Sequence, residues 1–199
     1  MGQRAHDPAD VRELSAAEAR AAAPELAAVL VDCVEGGASV NFMAGYTQAE
    51  AAAFFARLAD EVAQAEAVLI AARLDGRIVG TVNLGLDTPQ NQPHRAEVRK
   101  MLVHRSARGH GVGAAMLTAA EAAATRLGRT LLVLDTVLGM AGERLYQRGG
   151  WTRVGAIPDY ALMPNGEMCA TVIFYKQLGR LASPLPQGEE GAHCKAMGR

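Results

Sequence analysis

Residues 97–113 read EVRKMLVHRSARGHGVG, and the way this stretch divides decides the fold. Its front half, with Ala96, is a strand candidate (AEVRKMLV, 96–103) whose alternation fails at Arg99-Lys100-Met101, where two cations meet an unbroken apolar run. A β-bulge there reconciles the two halves. The back half places Gly109, Gly111 and Gly113 at a strand-to-helix turn. Glycines at that position let several backbone N–H groups converge at a helix N-terminus, a geometry that suits a phosphate or pyrophosphate. Arg95, Arg99, Lys100, Arg105 and Arg108 stand against Glu97 alone between residues 95 and 110, a local net charge of +4 in a chain whose total is -1. Any anion site is therefore expected to be local, with the positive charge concentrated next to these glycines.

Downstream, an alanine-rich helix runs from Gly109 to about Leu127, followed by LLVLDT (131–136), a buried-type strand. A short helix from Met140 to Arg148 stops at Gly149-Gly150. Strand, helix, strand at this length predicts a parallel pair with a right-handed crossover. WTRVG (151–155) and CATVIFYKQL (169–178) are the last strands, separated by a loop holding Pro158, Asp159, Tyr160 and Pro164-Asn165-Gly166. Upstream, VLIAARL (68–74) and RIVGTVNLGL (77–86) flank Asp75-Gly76, a strong hairpin signal. Two helices precede them. Ser15 with Glu18 and Thr47 with Glu50 form capping boxes that open helices to about Val34 and Gln64, after a short strand VREL (11–14). Residues 10–178 thus read as one α/β (α+β) domain, a mixed and mostly antiparallel sheet with a central parallel pair, flanked by helices. Residues 1–9 read as an extension and 179–199, rich in Gly, Pro, Ser and charge, as a flexible tail.

Composition sets the outer bounds. The 199 residues are 50% hydrophobic but only 5% aromatic, and roughly a fifth of them are alanine, so much of the apolar share builds helices and little of it fills a core. The near-neutral charge argues against a broad nucleic-acid face. No run approaches the roughly 20 apolar residues of a membrane span, and the N-terminus lacks the apolar region of a secretory signal, so the expected location is cytoplasmic. Cys33, Cys169 and Cys194 are far apart and unpaired in pattern, which suggests neither a disulfide framework nor a metal site. Strand, glycine loop, helix and a strand ending in Asp135 also fits a nucleotide- or methyl-donor-binding unit. Against that stand the five residues from His104 to Arg108 before the first glycine, the missing G-x-G-x-x-G spacing, and the mere 64 residues after Asp135.

With these elements in order, R-G-x-G-V-G after the strand (R-G-H-G-V-G, 108–113) resembles the acyl-CoA loop of the GCN5-related N-acetyltransferases (GNAT). LYQRGGWTRVG (145–155) is similar to a second segment of that family at the expected distance. AEVRKMLV, LLVLDT and the ending from GGWTRVG to YKQL look like the tabtoxin resistance acetyltransferases within it. The resemblance implies acetyl-CoA as donor and no metal. Met101, Leu102 and Val103 would offer backbone groups to the pantetheine, while Arg108, Gly109, His110, Gly111, Val112, Gly113 and Ala114 would cradle the pyrophosphate. Gly139 stands where many members carry a cofactor-contacting asparagine, so that contact is lost or replaced.

Tyr146 would protonate the departing thiolate, the other reading being a core tyrosine on a short helix. Glu97 and Asp135 would handle the acceptor, the other readings being an ion pair with Arg99 or Arg95 and a turn cap with Thr136. A bulge near Lys100–Leu102 would free an N–H for the thioester oxygen. Asn41, Phe42 and Tyr46 from the loop between the first helices, with Asp159, would wall the acceptor pocket. A small amine- or hydroxyl-bearing acceptor, acetylated in a ternary complex, is the expected partner, and a homodimer the candidate assembly. A protein N-terminal acetyltransferase and a non-enzymatic acyl-CoA sensor are the alternatives.

Overall fold

Alternating polar and apolar residues build one seven-stranded sheet. The computed structural model describes residues 9–179, in the order β1 (Asp10–Leu14), α1 (Ala16–Ala21), α2 (Ala23–Glu35), α3 (Gln48–Ala63), β2 (Ala67–Leu74), β3 (Arg77–Gly85), β4 (Arg95–Val103), α4 (Val112–Arg126), β5 (Leu131–Val137), α5 (Ala141–Arg148), β6 (Thr152–Leu162) and β7 (Met168–Gln177), with a 3-10 turn over Arg105–Ala107. The sheet order is β1-β2-β3-β4-β5-β7-β6. Only β4 and β5 run parallel. This is the single α+β domain with a mixed sheet that the sequence predicts.

Local chemistry explains most boundaries. The Ser15 and Thr47 backbone N–H groups donate to Glu18 and Glu50 at 2.9 and 2.8 Å, closing both capping boxes. Asp75 and Gly76 both have positive φ, 49° and 77°, so the β2–β3 hairpin closes on the tight turn whose twist matches its strands. The single helix expected from Ser15 to Val34 is instead two, separated at Ala22. Pro24 is the reason: it has no N–H to donate to Arg20, and its ring crowds that carbonyl, so it serves in the first turn of α2 instead.

The loop expected between the last two strands is mostly strand. β6 runs through Pro158, Asp159 and Tyr160 and is irregular between Ile157 and Ala161, where Asp159 takes φ 50°. β6 lies at the sheet edge, so Pro158 costs no interior ladder bond. The extension at residues 1–8 and the tail from residue 180, with Cys194, lie outside the described residues.

Two apolar layers sandwich the sheet. Ile70, Val82, Leu84, Leu132 and Phe174 pack toward Met116 and Ala120 of α4 and Tyr146 of α5. Leu69, Ala71 and Leu102 face Leu26, Leu30 and Phe55 of α2 and α3. Trp151 is 5% exposed and donates its indole N–H to Glu121 at 2.9 Å.

Candidate active site

The parallel register between β4 and β5 lasts three residues, Arg95 to Glu97 against Leu131 to Val133, and then stops. Past it the strands part. Lys100 sits at φ 51°, and Lys100 with Met101 stands opposite the single residue Val82 of β3, so the bulge expected from the broken alternation is present. A residue in that conformation persists only where its surroundings hold it, and such strain clusters at functional sites. The gap opens as a cleft of about 510 Å³.

Sheet geometry decides what the cleft receives. Glu97 is the parallel neighbour of Val133, and Asp135 lies two residues on, so both carboxylates project from the same face. Both line the cleft, as does Tyr146 from α5. Glu97 is engaged: Arg99 donates to its Oε2 from Nε at 3.0 Å and from Nη2 at 2.7 Å. Asp135 is exposed, and its Oδ2 lies 3.0 Å from the Thr171 hydroxyl, which is equally close to the Thr136 carbonyl and can donate to one at a time. Tyr146 is 5% exposed and packs its ring on Trp151 and Phe174 at centroid distances of 5.7 and 6.0 Å. Burial first, and then the charge of Asp135, hold its phenol well above the usual tyrosine range. Tyr146 is thus packed as a core tyrosine and also borders the cleft.

The expected acceptor wall is present in part. Asn41 and Tyr160 line the cleft, while Phe42, Tyr46 and Asp159 are not among its lining residues. Phe42 and Tyr46 stack at 4.3 Å, and Phe42 meets Phe54, which does line the cleft. Lys100 reaches over Phe42 at 5.4 Å and is half-buried. Desolvation lowers its ammonium pKa, Asp135 opposes that, and Arg99 adds to it. Sequence reading gave no role to Asn83 or Glu61 and took Lys100 only as part of the bulge and of the local positive charge, although all three line the cleft. The misfit of Lys100 in an alternating strand was the available signal.

At the other end, Gly109 and Gly111 have φ of 85° and 77°, and a Cβ on either would meet nothing within 4 Å. Conformation rather than space demands glycine there. The first bond into α4 runs from Ala115 N–H to Gly111 C=O at 3.0 Å, so the N–H groups of Gly111, Val112, Gly113 and Ala114 precede any intrahelical acceptor. Open space ahead of a helix N-terminus whose donors are unused among the described residues fits a pyrophosphate. Arg108, assigned to the same cradle, donates from Nε to the Val103 carbonyl at 3.2 Å. That carbonyl also accepts from Cys33 Sγ at 3.4 Å, while Leu102 turns its side chain into the core. Among the described residues no cluster of three or more His, Cys, Asp or Glu is placed to hold a metal, and no helix is long and apolar enough to cross a membrane.

Asp32 of α2 pins the approach to this loop. It accepts from the Arg105 backbone N–H and Nε, both at 2.8 Å, with His104 Nε2 at 3.4 Å. Burial alone would raise its carboxyl, but the Arg105 bonds outweigh burial and leave it below the ordinary range. A carboxyl lowered by folding stabilises the fold above its unfolded pKa, and that contribution fades as pH falls through the lowered folded value. Asp32→Asn is expected to cost about 1–3 kcal/mol in urea unfolding at pH 7. The gap to wild type should narrow below pH ~4; a gap that held constant down to acid pH would remove the ionised carboxylate from the account.

The fold and its loop have counterparts. The model of the Acetyltransferase (GNAT) family matches residues 38–151, more than half of the chain. Among solved structures, a ribosomal-protein-alanine N-acetyltransferase from Brucella melitensis is similar at 20% identity and TM-score 0.70, over 85% of this chain and 99% of that one. The yncA protein of Salmonella typhimurium, solved with its cofactor acetyl-CoA, is similar at 17% identity and TM-score 0.73, over 89% and 98%. An acetyltransferase from Salmonella typhimurium that modifies the N-terminal serine of a 50S ribosomal subunit protein matches at 14% identity and TM-score 0.70, over 86% and 96%. At these identities the structures establish the fold, and the match of the family model, together with the splayed strand pair and glycine loop, establishes that this chain belongs to the GNAT family of acetyltransferases.

Proposed function

We propose that the chain moves an acetyl group from acetyl-CoA to the amine or hydroxyl of a small molecule, by direct transfer with both substrates in the cleft. The observation that carries this reading is the cleft itself, which brings Tyr146 from the α5 side together with Asp135 from the open face of the sheet. When bound, acetyl-CoA supplies an activated thioester. The N–H groups ahead of α4 and the backbone of β4 past Val98 would hold it, since neither set is used by a neighbouring helix turn or by β5. At the bulge, an N–H freed from the β3 ladder would donate to the thioester oxygen, a contact that can be worth about 2.7–4 kcal/mol in the barrier. Asp135 would take the proton of the attacking group, and Tyr146 would return one to the leaving sulfur. The likeness of AEVRKMLV, LLVLDT and the final strands to the tabtoxin resistance proteins supports an acceptor resembling an amino acid.

Acetyl-CoA at about 100 times its Kd is expected to stabilise the protein by about 2.7 kcal/mol. For a domain of this size that is a melting shift of roughly 5–10 °C. Thiol release across a panel of free amines and amino acids then tests the acceptor. No shift at millimolar acetyl-CoA would overturn the assignment of the loop, and turnover with peptide N-termini alone would replace the small-molecule acceptor by a protein one.

A further inference from the structure

Arg99 is held in a position that neither the sheet nor the acid–base chemistry requires. Its guanidinium is gripped through Nε and Nη2 by one oxygen of Glu97. It lies flat over Gly85, where a Cβ would stand 2.5 Å from Cζ and 2.6 Å from Nη1. Gly85 has no positive φ and sits in a strand opposite Glu97, so no turn demands it. A Cβ there would push the guanidinium off this position, so glycine is what leaves Arg99 room to lie against β3. Half-exposed ion pairs contribute little to stability, and glycine inside a strand weakens it, so the arrangement is poorly explained as scaffold.

Beside it on β3, directly across from Arg99, is Asn83. Asn83 is 4% exposed and lines the cleft, and its buried Oδ1 has no hydrogen-bond partner among the described residues. Neither end of the Asn83 amide makes a hydrogen bond among the described residues, so whichever end faces the cleft is unused. Buried polar groups without partners are rare and call for an explanation. Arg99 Nη1 likewise has no acceptor among the described residues. An immobilised guanidinium edge beside an unfilled amide, in the same cleft as Asp135 and Tyr146, is a receptor for a carboxylate.

We infer that Arg99, positioned by Glu97 and Gly85, binds with Asn83 a carboxylate of the acceptor, so that the acceptor is an amino-acid-type molecule carrying its acid close to the acetylated amine. This rests on the small-molecule reading above and narrows it. A peptide N-terminus, whose adjacent carboxyl is an amide, would leave the guanidinium edge unpaired.

The test compares free amino acids with their own amides, by thiol release at saturating acetyl-CoA and by calorimetric binding to the CoA-loaded protein. Wild type is expected to prefer the acid by about 30-fold or more in kcat/KM, in line with a hydrogen bond between charged partners. Arg99→Ala should collapse that ratio toward one while keeping the acetyl-CoA melting shift, which shows that the variant is folded. Gly85→Ala retains the charge but displaces the guanidinium, and should raise KM for acids more than it lowers kcat. Equal use of acids and amides by wild type, or an unchanged ratio in Arg99→Ala, overturns the carboxylate site and leaves small-molecule acetylation standing. Turnover of peptides with no turnover of any free amino acid or amide overturns both.

Discussion

Tyr146→Phe is expected to lower kcat by about 10²–10⁴-fold, the range a positioned general acid supplies, while leaving acetyl-CoA affinity within a factor of about two. The separation follows from where the two ends of the ring lie. Its flanks contact Trp151 and Phe174, and phenylalanine preserves those contacts. Its hydroxyl makes no hydrogen bond among the described residues, so removing it orphans nothing. Stability should therefore change by less than about 0.5 kcal/mol. Burial keeps the phenol protonated at alkaline pH, and it also makes the phenol a weaker acid, so transfer to the sulfur has to accompany C–S cleavage, where charge builds up on the leaving thiolate. The wild-type profile of kcat should accordingly show no fall attributable to this group up to pH ~10, the ordinary tyrosine value. Unchanged turnover in Tyr146→Phe would take the phenol out of the mechanism, and a parallel loss of acetyl-CoA affinity would make it a binding wall.

Tyr146 also shows how far sequence reasoning reaches here. Its place on a short helix after a buried strand could be read from the apolar run and the Gly149-Gly150 stop, because both signals are local. The capping boxes, the Asp75-Gly76 turn and the bulge at Lys100 were legible for the same reason. Pro24 was visible too, yet the helix pattern continued on both sides of it and masked the break. The edge strand through Asp159 was missed because Pro158 and Tyr160 look like a loop unless the strand is known to lie at the border of the sheet. Side-chain contacts between distant segments carried no local sequence signal. Asp32 meets Arg105 across 73 positions, and Gly85 makes room for Arg99 only because register places their strands together.

The same register separates two carboxylates that sequence could only name as a pair. Asp135→Asn is expected to lower kcat by about 10²–10⁴-fold, with KM for the acceptor changing little. Among the described residues Asp135 accepts a side-chain hydrogen bond from the Thr171 hydroxyl alone, a donor it shares with a backbone carbonyl, so its second oxygen is available to an incoming amine. Its charge also reaches Lys100 and Tyr146, which places it within electrostatic range of both walls of the cleft. Asparagine keeps the size and the hydrogen bond from Thr171 but cannot accept a proton. Glu97 differs because Arg99 occupies its Oε2 twice over. Glu97→Gln should therefore loosen Arg99 and raise the acceptor KM by about tenfold, as expected for one weakened charge-assisted bond, while kcat stays within a factor of about three. Glutamine can still accept one hydrogen bond from Arg99, so a milder effect than that of Arg99→Ala is the consistent outcome. Steady-state kinetics on the two variants with one amino acid acceptor decides the matter. A large kcat loss in Glu97→Gln with little change in KM would make Glu97 the base, and it would demote the grip on Arg99 to a contact that opens when the acceptor arrives.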